Sequence, residues 1–254
     1  MTNTSTKNVL ITGGAKRIGH AIALGLAADG WRVAVHYGGS AEAAAKTVQD
    51  IVDARGRATA LQADLADVNA LSPLMERARA EIGPLTALIN NASLFANDDL
   101  ESLTPDSWSS HMDTNLRAPL FLAQAFAKQL PESNSGNIIN IIDQRVWRLT
   151  PRFLSYTTSK AGLWTLTQTL AQSLAPKIRV NGIGPGPTLS NDRQSNADFQ
   201  AQVASTPLQR QISTEEIRAA VRFILASPAM TGQMIALDSG QHLAWETPDA
   251  VGPE

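Results

Sequence analysis

The chain contains no cysteine. That absence excludes disulfide bridges, thiolate metal sites and a thiol nucleophile. Histidine is scarce too: His20, His36, His111 and His242 stand apart, without the spacing of a metal-ligand set. Basic residues are not in excess, with 21 Lys and Arg against 23 Asp and Glu, so a net charge of −2 offers no attraction for nucleic acid or an anionic membrane. No apolar run approaches the ~20 residues that span a bilayer. The opening MTNTSTKN is polar and lacks the apolar stretch of a signal peptide. These absences predict a cytoplasmic protein with no metal, no nucleic-acid partner and no membrane partner.

What is present is a long alternation. The 254 residues, 43% of them hydrophobic, suffice for one sizeable core. Apolar runs at 9–12, 31–37, 57–64, 85–92, 136–143, 177–186 and 233–240 read as strands. Helical spacing marks 16–29, 41–55, 67–82, 152–175 and 215–227, together with a stretch from Thr104-Pro105 to about 129 broken near Pro119. Strands alternating with helices predict a parallel sheet covered on both faces, an α/β doubly wound Rossmann-type fold. No composition break divides it, so residues 1–254 are expected to form a single domain. The ends, 1–7 and 245–254, are expected to be loosely held. The polar, poorly periodic 187–213 reads as a mobile loop or lid over a substrate.

Several short patterns carry chemistry. TGGAKRIG (12–19) ends a strand, turns on glycines and starts a helix, as a turn that receives a pyrophosphate does. After the second strand, HYGGS (36–40) has no acid to bind the ribose of NAD. Arg17 and Ser40 favour the 2′-phosphate of NADP instead, unless Arg17 is only a solvated surface charge. Asp64 either contacts the adenine or caps the following helix. NNASLF (90–95) leaves the fourth strand at the sheet's ligand-binding edge, and Phe95 there either packs or stacks on a flat ring. Tyr156 and Lys160, four apart, share one helix face. A tyrosine of pKa ~10 is a poor acid or base at neutral pH, and a nearby ammonium lowers that value. Asp143 stands thirteen residues before the tyrosine. It either belongs to the reaction or caps the next segment, pairing with Arg145 or Arg148.

Together TG-x-x-x-x-x-G (12–19), NNA (90–92), the Asn of TNLRAP (114–119), YTTSK (156–160) and NGIGPG (181–186) resemble the short-chain dehydrogenase/reductase family from Thr12 to about Gly240. The resemblance implies a seven-stranded Rossmann sheet, NADP (NADPH) as cofactor and a homotetramer. It implies Asn115, Tyr156 and Lys160 as catalytic residues. Tyr156 exchanges the proton, Lys160 lowers its pKa and holds the nicotinamide ribose, and Asn115 distorts its helix and holds a relay water. Cofactor contacts are implied at Gly13, Arg17, Ile18, Gly19, His36, Ser40, Asp64, Leu65, Asn91, Ala92, Ser93, Pro185, Gly186 and Thr188.

Two positions depart from the common pattern: Arg17 where the family usually has glycine, and Asp143 where it usually has serine. Both are similar to the pteridine reductases and dihydromonapterin reductases, as are NNAS with an aromatic soon after and TGQMIALDSGQHL (231–243). That branch reduces a pterin C=N bond. The resemblance then makes Asp143 and Tyr156 the joint proton source, with Phe95, Arg17, Ser93, Asp143, Tyr156 and Trp147 at the substrate and Leu189 as an apolar neighbour. Phe95 would form one wall of a sandwich and the nicotinamide the other. Gly38 and Gly39 stand where this branch often carries a basic residue for the 2′-phosphate, which leaves that role to Arg17. The rival readings are a general NADP-dependent carbonyl reductase and a non-catalytic NADP-binding sensor.

Overall fold

The computed structural model describes residues 7–190 and 195–245. The expectations for 1–6, 191–194 and 246–254 lie outside the described residues. Seven parallel strands form one sheet: β1 Asn8–Ile11, β2 Arg32–Tyr37, β3 Arg57–Gln62, β4 Ala87–Asn90, β5 Gly136–Ile141, β6 Ile178–Pro185 and β7 Met234–Leu237. Their order is β3-β2-β1-β4-β5-β6-β7, so the chain reverses direction across the sheet between β1 and β4. In such sheets ligands bind beyond the carboxyl ends of the strands at that switch point.

The helices are α1 Arg17–Ala28, α2 Ala41–Asp53, α3 Val68–Ile82, α4 Pro105–Met112, α5 Ala118–Gln129, α6 Leu154–Leu174, α7 Asn196–Ala204 and α8 Thr214–Ala226. Strand side chains alternate between faces, and both faces are buried, which explains the unbroken apolar runs. Val9, Ile11, Val33, Val35, Ala87 and Ile89 enter one core with Ile22, Ile51 and Val221 from α1, α2 and α8. Leu10, Ala34, Leu88 and Ile138 enter the other with Leu74, Leu122 and Ala171 from α3, α5 and α6. Among the described residues no helix is long and apolar enough to cross a membrane.

One element follows the sequence expectation in detail and one differs from it. The long helix after Thr104 is broken near Pro119 as expected, by a π-helical turn at Asp113–Arg117. Pro119 sits in the first turn of α5 and has no N–H to return to the carbonyl of Asn115, four residues earlier, so the regular ladder cannot run through this point. The stretch expected to be a lid without regular structure contains α7. Ser195 caps it through Asp198 N, and Phe199 and Val203, one turn apart, bury the inner side. Nine residues with two apolar anchors give too short a period to stand out from a polar loop.

Candidate active site

The glycine-rich turn and the NNA segment are stitched into one floor at the switch point. Asn91 Nδ2 donates to the carbonyls of Thr12 (2.9 Å) and Gly13 (3.0 Å), and the amides of Asn91 and Ala92 both donate to Thr12 Oγ1 at 3.0 Å. The fit leaves no room for side chains. A Cβ on Gly13, whose φ is +61°, would lie 2.9 Å from Ala92 Cα, and one on Gly19 would lie 2.2 Å from Gly13 O. Asn91 and Ala92 therefore hold the turn in shape. No side chain caps α1 and no acid occupies its first turn, so its amides and dipole face the crevice as an anion site.

His36, expected at the cofactor, hydrogen-bonds the glycine-rich turn. Its ring is buried: Nδ1 accepts from Gly13 N at 3.1 Å, and Nε2 lies 3.1 Å from Ala63 O. Nδ1 accepts, so Nε2 carries the proton and the ring is neutral. Burial pulls its pKa down from 6.5 to about 4. The sign follows: between these values the unfolded chain takes up a proton that the folded one refuses. His36 therefore contributes fully above pH 6.5 and loses its contribution as pH falls toward 4, on the order of 3 kcal/mol. Denaturant melts in that window should show this fall in the wild type and a flatter profile in His36→Gln.

The other residues expected at the cofactor divide by depth. Ile18 packs against the first core, and Leu65 is buried in the second, so each can present only backbone. Asp64 Oδ1 accepts from Ala66 N at 2.9 Å in a tight turn, while the cap of α3 is Asp67. Ser40 precedes α2 without capping it through its side chain. Pro185 ends β6. Gly186 leaves no space for a Cβ beside Asp238 Cα (2.7 Å), and Thr188 Oγ1 donates to Gly186 O at 3.0 Å.

Arg17, expected at the 2′-phosphate, is also engaged within the protein. Its guanidinium donates to the carbonyls of Ser190 (2.6 Å) and Leu189 (3.0 Å), tying the start of α1 to the loop after β6. Its φ of +54° is left-handed, at a position where the family usually has glycine, a residue that adopts this conformation more readily. Other basic groups join Arg17 beside α2. Lys16, His20 and Lys46, with Ala15, Arg17, Ala43 and Thr47, line a recess of about 370 Å³ one turn from Ser40. Lys16 stands in TGGAKRIG beside Arg17, whereas Lys46 carries no motif.

Tyr156, Asp143 and Lys160 converge beyond β5. Asp143 closes the strand's end and does two things at once. Oδ1 accepts from Arg145 N (2.8 Å), capping the 3₁₀ turn Gln144–Val146, and Oδ2 accepts from Tyr156 Oη (2.7 Å). The capping reading of this acid holds, and its second oxygen meets the tyrosine. Lys160 is 2% exposed; Nζ donates to Ile141 O at 2.8 Å and lies 5.8 Å from the centre of the tyrosine ring. Burial lowers its pKa from 10.5 to about 8, against the pull of Asp143. Against the depression expected from Lys160, the net shift of the tyrosine is upward. Burial, then the charge of Asp143 and its hydrogen bond, raise Tyr156 well above 10.0, with Arg145 and Ser93 opposing. A phenol that donates to a carboxylate is stabilised in its protonated form. It is set as a proton donor.

Asn115, fully buried in the π-helical turn, ties that turn to the crevice loop. It accepts from Leu94 N (2.8 Å) and donates to Leu94 O (2.9 Å) and to Ser159 Oγ (3.1 Å). The loop then presents Ser93, whose side chain favours the phenolate of Tyr156, and Phe95. Phe95 meets Tyr156 edge-on at 4.7 Å and stacks on Phe153 at 4.6 Å and 6°. Arg145 lies 5.0 Å from the centre of the Phe153 ring. The wall assigned to Phe95 alone is thus a double ring. Phe153, at φ +59° before α6, was not legible as part of it. Trp147 is 43% exposed and packs on Trp164 and His242, its ring contacts among the described residues lying outside the Tyr156 cluster.

A dinucleotide crevice with a Tyr–Lys pair at the end of β5 defines an oxidoreductase of the short-chain type. The chain belongs to the short chain dehydrogenase family, which it matches over residues 7–201. It is 48% identical to FolM alternative dihydrofolate reductase 1 from Brucella canis, solved with NADP, with a TM-score of 0.93 over 96% of this chain and 97% of that one. The Brucella suis protein of the same name, also with NADP, is 49% identical with a TM-score of 0.93 over 95% and 97% of the two chains. A 3-oxoacyl-[acyl-carrier-protein] reductase from Synechocystis is 31% identical over 94% of this chain and 98% of that protein.

Proposed function

We propose that the protein reduces the C=N bond of a dihydropteridine to the tetrahydro form, with NADPH as reductant. The observation that carries this reading is the Tyr156–Asp143 hydrogen bond of 2.7 Å. Reduction of C=N places a proton on nitrogen, and the phenol is held protonated for that step. An ionised Asp143 can accept from the amino and amide N–H groups of a pteridine edge, whereas it repels the oxygen of a simple ketone. The Brucella proteins, named dihydrofolate reductases and bound to NADP, support the reading.

The residues fit the cofactor. The uncapped start of α1 and the glycine floor suit a pyrophosphate, and Lys16 and Lys46 suit the 2′-phosphate. NADPH, when bound, supplies a hydride to the ring carbon. Tyr156 then turns its proton from Asp143 to the substrate nitrogen. Asp143 stays to hold the pteridine edge, and Lys160 lies close enough to stabilise the phenolate that remains. The stacked Phe95 and Phe153 offer a flat apolar wall to the bicyclic ring.

Two measurements follow. Lys16→Ala should weaken NADPH about tenfold, a loss of about 1.4 kcal/mol, and leave NADH nearly unchanged; cofactor fluorescence titration reads both. Oxidation of NADPH should proceed with 7,8-dihydromonapterin, 7,8-dihydrobiopterin or dihydrofolate. Turnover of ketones or 3-oxoacyl thioesters with none of these pteridines would remove the proposal.

A further inference from the structure

A second polar cluster lies beside Tyr156. Helix α6 begins badly by its own means. Phe153 precedes it in a left-handed conformation and offers no capping side chain, so the first amides need partners from elsewhere. One residue supplies them across 57 positions of sequence: Asp98. Its carbonyl accepts from Leu154 N (3.1 Å), and its Oδ1 accepts from Ser155 N (3.0 Å). Its Oδ2 accepts from the hydroxyl of Ser155 and from Ser107 Oγ (3.2 Å).

The cluster continues to a histidine. His111 Nε2 accepts from Ala96 N at 3.1 Å, so the proton of the neutral ring is on Nδ1. Nδ1 is 2.8 Å from both Ser107 O and Ser155 Oγ. Asp98, His111 and Ser155 are 2%, 0% and 0% exposed. Burial by itself would raise the pKa of Asp98, but hydrogen bonds from Ser155 and Ser107, with His111 nearby, hold it below the ordinary value. A carboxylate at the positive end of a long helix is stabilised further.

This cluster is joined to the reacting groups on two sides. Tyr156 follows Ser155 directly, and Phe95, three residues before Asp98, touches the Tyr156 ring. His111 itself lies 6.4 Å from that ring, centre to centre. Asp98 therefore holds the helix that carries the proton donor and the loop that carries the aromatic wall.

We propose that Asp98, acting through Ser155 and His111, is the positioning residue that sets Tyr156 against Asp143 and the substrate. The cap fixes the first turn of α6, and Tyr156 is the third residue of that turn. Loss of the carboxylate frees the turn, lengthens the Tyr156–Asp143 hydrogen bond and misplaces the phenol. The proposal rests on the reading of Tyr156 as proton donor, and its test separates the two.

The chain has two tyrosines, Tyr37 and Tyr156. In a Tyr37→Phe background, the tyrosinate difference absorbance reports Tyr156 alone and needs no substrate. Adding Asp98→Ala should lower the Tyr156 titration midpoint by about one unit, as the bond to Asp143 is lost. Ser155→Ala keeps the Asp98 Oδ1 cap but cuts the link to His111, so it should give a smaller shift in the same direction; it stands in if Asp98→Ala does not fold. With a dihydropterin, Asp98→Ala should lose 10- to about 100-fold in kcat, with KM for NADPH within about twofold. An unchanged midpoint in both folded variants would overturn the proposal. So would kcat and NADPH binding falling in parallel, which is the mark of general destabilisation. If even the wild type turns over no dihydropterin, the functional reading fails, and the titration still decides the role of Asp98.

Discussion

Tyr156→Phe lowers kcat for dihydropterin reduction by about 10³-fold and leaves NADPH affinity within about twofold. Phenylalanine fills the same volume, keeps the edge contact with Phe95 and loses only the hydroxyl that reaches Asp143. Asp143 is partly exposed, so its released oxygen can take water, and the fold bears little cost. The loss falls on the proton step because that hydroxyl is the donor nearest the crevice with its pKa held high. Steady-state kinetics beside cofactor titration checks it; an equal drop in NADPH affinity would move Tyr156 from chemistry to binding.

Asp143→Ala should cost about 10²-fold or more in kcat/KM for the dihydropterin, through both of the acid's bonds. Tyr156 loses the acceptor that orients it and keeps it protonated, and the 3₁₀ turn loses its cap at Arg145 N. The Tyr156 titration should fall in the same variant, since the charge and hydrogen bond of Asp143 are the next causes of its rise after burial. Near-normal turnover with an unshifted tyrosine would leave Asp143 as a cap alone.

The sheet and its switch point were legible because both faces are buried and each strand ends in a recognisable turn. The Tyr156–Lys160 spacing and the acid at the end of β5 were legible because strand and helix periods put them at one edge. Direction was not. Arg17 and Lys16 are adjacent in sequence and both line the recess beside α2, but the Arg17 guanidinium is bonded to the carbonyls of Leu189 and Ser190. The sign of the tyrosine shift also needed coordinates, because it depends on whether the phenol donates to Asp143 or faces Lys160. The Asp98–Ser155–His111 cluster has no sequence pattern at all. Its members come from the crevice loop, α6 and α4, and only the fold brings them together.

The central claim is that Asp143 commits a short-chain reductase site to C=N reduction. The most direct test is the ratio of kcat/KM for a 7,8-dihydropterin to that for a 3-oxoacyl thioester, with NADPH, in the wild type and in Asp143→Ser. The account predicts a ratio strongly favouring the dihydropterin that falls by about 10²-fold or more when serine restores a neutral donor for a carbonyl. A wild type that prefers the thioester, or a ratio untouched by the substitution, would contradict it.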